Sequence, residues 1–178
     1  AENGCYLAIT DVALSYVASQ KNDGAGVYLG NAADGAGSSS YFDALLGDAD
    51  FELYEVNASY NDVGIVIRNA ATNGGLGTLA NQDIDGKYLS AVGVGIDLGP
   101  PAVFPDGMRF INLGTNGGTD AYQNIDVNYI DVSDNFIGVR IQDGTAGNQS
   151  GTINNATYYN TPFLYFYVGG GGGFVITP

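Results

Sequence analysis

Oxygen-bearing side chains supply nearly all the chemistry this sequence has to offer. Asp and Glu number 19, Lys and Arg number 5, and histidine is absent. Without histidine the commonest general base is missing, along with Ser-His-Asp and Cys-His arrangements and most zinc or copper sites. Lys21 and Lys87 are the only lysines, and the sequence holds neither a Gly-x-x-x-x-Gly-Lys-Ser/Thr phosphate loop nor a Gly-x-Ser-x-Gly elbow. A pair of carboxylates flanking a sugar is the one catalytic device left. No pair stands out from the general run of acids, so no catalytic residue is assigned and the chain reads as non-enzymatic.

The most specific local pattern is Asn81-Gln82-Asp83-Ile84-Asp85-Gly86. Oxygens alternate at Asn81, Asp83 and Asp85 ahead of a glycine, as in the first half of a calcium loop. Counting from Asn81, Val92 stands twelfth, where a helix-loop-helix calcium site would place a bidentate Glu. These three residues are therefore a candidate calcium site beside a simpler reading, outward-facing acids next to Asx turns. No other cofactor is expected. The cluster Asp48, Asp50 and Glu52 is less specific, and Arg68, Arg109 and Arg140 read as surface partners for the many acids. Asn57, Asn148 and Asn155 each head an Asn-x-Ser/Thr glycosylation sequon.

The formal charge is −14. Such a chain repels phosphate backbones and anionic headgroups, which argues against a nucleic-acid partner. No apolar stretch is long enough to span a bilayer. The opening Ala-Glu-Asn-Gly fits a mature secreted or cell-surface chain after signal-peptide removal. Cys5 is the only cysteine, so it reads either as a small buried hydrophobe or as an intermolecular disulfide link.

The elements that must position these residues are strands. The chain carries 28 Gly and 13 Tyr and is rich in Asn, Thr and Val, a balance that favours short strands and tight turns over helix. Phe51 to Ile67 aligns without a gap on Ile125 to Ile141, and Ser59, Asn61 and Gly64 match Ser133, Asn135 and Gly138. A shorter copy runs from Ile84 to Ile96. Each copy alternates apolar and polar residues, passes a polar turn, then alternates again, which is two strands joined by a turn. The marker glycines Gly26, Gly64, Gly93 and Gly138 are unevenly spaced, which weighs against a regular solenoid. The expected fold is therefore all-β, with antiparallel hairpin repeats forming a β-sandwich or flattened barrel. An irregular β-solenoid is the alternative. Cys5 to Ser19 is one long strand or two short ones, with a helix over Asp11 to Gln20 as the alternative, Tyr41 to Leu46 is a helical turn, and Asp143 to Gly151 a turn-rich loop. Residues 1–168 form one β-rich domain, and 169–178 a glycine-linked strand or tail.

That tail carries the functional expectation. The apolar strand Pro162 to Val168 is followed by Gly169, Gly170, Gly171, Gly172 and Gly173, then by Phe174-Val175-Ile176. A glycine run is a flexible linker, so the last strand can fold back or add to a neighbour's sheet edge. Leu7, Ile9 and Val12 form a second candidate donor strand. Exchange of this kind is heterologous and builds open polymers. The composition is similar in style to that of fimbrial and other surface-filament subunits, with no family-defining motif. The expected function is a structural subunit of an extracellular filament, pilus-like fibre or surface layer, with itself as partner. The alternative is a secreted glycan-binding or adhesin module, with or without calcium.

Overall fold

The computed structural model describes residues 7–22, 24–34, 45–72, 78–93, 106–114, 119–144, 147–169 and 173–177. All regular structure among them is strand. In chain order these are β1 (Leu7–Ala18), β2 (Ala25–Asp34), β3 (Leu45–Asn57), β4 (Val63–Thr72), β5 (Thr78–Gly86), β6 (Leu89–Ser90) and β7 (Asp106–Gly114). There follow β8 (Thr119–Val127), β9 (Ile130–Asp131), β10 (Ile137–Asp143), β11 (Gly147–Ile153), β12 (Ala156–Thr157), β13 (Phe163–Val168) and β14 (Phe174–Ile176).

Every pairing is parallel. One sheet runs β1-β3-β5-β8-β11-β14 and continues round a corner from β3 into the short row β6-β9-β12. The second runs β2-β4-β7-β10-β13. The chain therefore coils. Each turn lays one strand on each sheet, and each strand pairs with its counterpart one turn later. This overturns the antiparallel hairpins and the sandwich or barrel built from them, because both sheets are open and no described strand reverses onto its neighbour. In the two long copies, Phe51 to Ile67 and Ile125 to Ile141, the two halves are real strands, but they lie in different sheets. The Ser-Asp-Asn turn is a corner. Its Asn135 Nδ2 donates to the carbonyls of Val132 (2.8 Å) and Ala91 (2.6 Å), the second belonging to the preceding turn. A hairpin and a coil show the same alternation, and only the neighbour that receives the backbone hydrogen bonds distinguishes them.

Uneven turn length was the argument against a coil, and the structure shows where it arises. Asn31, Asn69, Asn112 and Asp143 stack in register, separated by 38, 43 and 31 residues. Residues 94–105 fall between a corner and β7 and lengthen the third turn. Gly93 is accordingly not the counterpart of Gly64. It occupies a corner with φ 64°, in register with Lys21 (61°), Tyr60 (58°), Asp134 (58°) and Asn160 (51°). Gly107 takes the strand position instead, stacked with Gly26, Gly64 and Gly138. A Cβ on Gly138 would stand 2.7 Å from the Leu164 carbonyl oxygen, so the turns close only because this column lacks side chains. The helix alternative for Asp11 to Gln20 gives way to β1. Of the loop expected over Asp143 to Gly151, Asp143 ends β10, residues 147–151 belong to β11, and 145–146 lie outside the described residues. Of the helical turn expected over Tyr41 to Leu46, Leu45 and Leu46 begin β3 and the rest lies outside the described residues.

Like residues stack on like. Phe51, Ile84 and Ile125 form one inward column, and Ile65, Met108 and Val139 another. Burying each such side chain is worth about 2 kcal/mol. Two polar ladders run inside. Asn31 Nδ2 donates to Asn69 Oδ1 (2.9 Å), Asn69 to Asn112 (3.0 Å) and Asn112 to Asp143 (3.0 Å). Gln123 Nε2 donates to Gln82 Oε1 (2.6 Å), and Gln149 donates to Gln123. Buried amides are tolerated because a parallel in-register stack lets each one donate to or accept from the next turn, and the glutamine ladder ends at Gln149, whose buried Oε1 has no partner among the described residues.

Candidate functional site

Three features of the coil present chemistry, namely its two ends, one corner, and the outer face of the larger sheet. At the ends the core is incompletely covered. Core-facing Val12, Leu14, Val17 and Leu29 on the first turn are only half-buried, as are Leu164, Tyr167, Phe174 and Ile176 on the last. The equivalent residues between them are buried almost completely, including Phe51, Leu53, Ile67 and Phe110. β1 and β14 are the outermost strands of the larger sheet, and β2 and β13 those of the smaller. The outer backbone edges of these strands carry no ladder partner among the described residues. The last turn also differs in charge. From Gly144 to the C-terminus the sequence has no Asp, Glu, Lys or Arg. Phe163, Tyr165, Phe166, Val168 and Val175 are exposed there. Edge strands are ordinarily guarded by charge, proline or bulges, and β13 has none within its span.

Of the expected assembly residues, Ile9 is 64% exposed, Val12 is half-buried and Val175 is 53% exposed. Leu7 pairs with Leu46 at the start of β1. β14 pairs with β11 of the same chain, Phe174 beside Gly151 and Ile176 beside Ile153. Of the glycine run, Gly169 and Gly173 are described, and Gly170, Gly171 and Gly172 lie outside the described residues, as does Cys5.

The bend within β1 and β3, continued just before β6 and β9, carries a row of phenols. Tyr16 meets Tyr54 edge-on (5.3 Å between centroids), Tyr54 meets Tyr88 (6.4 Å), and Tyr88 meets Tyr129 (5.7 Å). The Lys87 ammonium lies 4.7 Å from the Tyr54 ring centroid. A groove of about 430 Å³ runs beside this row, with Glu55, Asn57, Ser90 and Asp131 on its polar side. Tyr16 and Glu55 sit there at φ 56° and 53°, a left-handed bend that turns the chain at the corner. Burial does not raise the Tyr16 phenol pKa so much as its tyrosine neighbour does: the hydrogen bond with Tyr54 is the largest cause. Sequence reasoning noted the tyrosines near the C-terminus and missed this row. The signal was present, because Tyr88 and Tyr129 precede the aligned Leu89 and Ile130 of the repeat.

On the outer face of the larger sheet, acids stack in register. Asp11, Asp50 and Asp83 form one column, and Glu52, Asp85 and Asp126 the next. Asn81, Asp83 and Asp85 lie on β5, not in a loop, as alternate residues on one face. Asn81 Nδ2 donates to Asp48 Oδ1 (2.9 Å). The Asp83 carboxyl pKa is raised, first by lost solvation and then by the charges of Asp50 and Asp48. Among the described residues no cluster of three or more His, Cys, Asp or Glu is arranged to hold a metal ion. Arg109 and Arg140 both pair with Asp106, whose side chain is fully buried, and Arg140 lies over the Phe166 ring. Asn148 and Asn155 are exposed and Asn57 is half-buried, its Oδ1 accepting from the Ser59 amide.

No protein-family model, curated protein or solved structure matches this chain. No helix among the described residues is long and apolar enough to cross a membrane.

Proposed function

We propose that the protein is a structural subunit that builds an extracellular filament or surface layer by adding copies to its sheet edges. The observation that carries this reading is the half-covered core at both ends of an open parallel coil. A core that runs out to its ends gains by meeting another hydrophobic end, and the parallel edges supply hydrogen bonds for it. The two ends differ, so the contact is heterologous and repeats without closing. The role is structural rather than catalytic, at the cell surface, with no nucleic-acid partner. The test is electron microscopy and size-exclusion chromatography of the purified chain at neutral pH, with and without calcium. Regular fibres or sheets are the expected result, and a monomer at every concentration under both conditions would overturn it.

The tyrosine-lined groove favours a second reading, a secreted module that binds neutral glycans. Aromatic faces and a wall of hydroxyl, amide and carboxylate groups match the apolar faces and hydroxyls of sugars. A glycan array that stays blank, with Tyr88→Ala matching the parent chain, would eliminate it.

A further inference from the structure

We propose that β14 is a detachable cap on the growing end of the coil, occupying the edge that the first strand of the next copy must take. The inference rests on the self-assembly reading and names how that assembly is held back.

The argument begins with strand count. Each turn contributes one strand to each sheet, from β1 and β2 to β11 and β13. β14 begins a further turn and has no companion in the smaller sheet among the described residues. It stands beside β11 through three residue pairs. The first strand of the chain, β1, stands beside β3 through eleven. If a second copy continues both sheets, its β2 lies along β13 and its β1 lies along β11. β14 already holds that second position.

The columns show what the exchange would do. β14 places Phe174 and Ile176 in the columns that hold Val12 and Leu14 on the first turn. A β1 strand seated on β11 would therefore present apolar Val12 and Leu14 where Phe174 and Ile176 now sit. It would also bring Val17 over Ala156, whose amide is now taken by the carbonyl of Thr177, the residue after β14 (3.1 Å). On the smaller sheet, Leu29 would meet Tyr167, and exposed Tyr28 would meet exposed Phe166. A strand of 12 residues replaces one of 3. Its three residue pairs are few against the eleven that a β1 strand makes. The matching columns identify the occupant as a second copy. Subunits of charge −14 repel one another, and the last turn, a stretch without a charged residue, is where that repulsion opposes approach least.

The test locks the cap in place. Thr152 and Val175 are exposed register partners on adjacent parallel strands, and the spacing of such strands suits a disulfide. In a Cys5→Ser background, T152C with V175C should assemble when reduced and remain monomeric when oxidised. Removal of residues 174–178 should shorten the lag of assembly about tenfold, with fold integrity checked by circular dichroism. The contact itself is read by Phe166→Asp, which should block growth, and by Phe166→Asp with Tyr28→Lys, which should restore it. These two positions lie at opposite ends of one chain and meet only between copies. Equal assembly of the oxidised and reduced forms overturns the cap. So does loss of assembly on truncation, which would make β14 a donor strand, and so does arrest at a dimer. If the full chain, the truncated chain and the reduced form all stay monomeric, the self-assembly reading itself fails.

Discussion

At the residue scale, the interior amides are the most consequential choice in this chain. Asn69 donates to Asn112 and to the carbonyls of Ala80 (2.9 Å) and Tyr122 (2.7 Å), while accepting from Asn31. Asn69→Ala should cost about 3 kcal/mol or more, since several buried groups lose a partner at once. The drop in urea midpoint measures it. Asp83 works in the opposite direction. Its folded pKa is raised above the ordinary carboxyl value of 3.8, so between those two values the folded state holds more protons than the unfolded one. Stability therefore falls as pH rises through that window. Asp83→Asn should raise the melting temperature at neutral pH and make no difference below about pH 3.8, where both states are protonated. Thermal melts across the acid range distinguish the two cases. The alternation of Asn81, Asp83 and Asp85 was visible in the sequence. The sequence offered both half a calcium loop and a strand entry with outward-facing acids, because alternating oxygens fit both until the neighbouring turns are placed, and the structure places them on a strand face.

At the element scale, the strands were largely legible and their partners were not. The aligned repeat located β3, β4, β8 and β10, and the apolar runs located β13 and β14. The glycine column explains why the pairing stayed hidden. Gly64, Gly107 and Gly138 are far apart in sequence, yet each marks where one turn touches the next. Gly138→Ala should destabilise by about 1–3 kcal/mol, because the added methyl meets the Leu164 carbonyl and Val132. Chemical denaturation checks that cost. Gly93 misled because it shares the apolar surroundings of the strand glycines while serving as a corner residue with positive φ. β11 was read as a loop for a related reason. Its sequence, Gly-Asn-Gln-Ser-Gly-Thr-Ile, has poor strand propensity alone and is held by β8 on one side and β14 on the other.

At the scale of the whole molecule, a coil of this kind is quasi-one-dimensional, each turn supported only by its neighbours. Hydrogen exchange should be fastest in β1, β2, β13 and β14 and slowest in β5, β7 and β8, and assembly should add protection at the ends alone. Salt should hasten assembly by screening the charge of −14, which light scattering at rising ionic strength would follow. Composition and periodicity by themselves pointed to strand, which is the regular structure of all the described residues, and showed that the chain repeats and that it lacks the histidine and lysine chemistry of common active sites. These are properties of residue type and local alternation, and they survive any arrangement of the strands. The tertiary structure decided that the strands run parallel, that the amides stack inside, that four distant tyrosines form one row, and that the core remains open at both ends. Each of these depends on which turn lies against which, and that is settled by hydrogen bonds between residues 26 to 43 positions apart, beyond the reach of any local pattern.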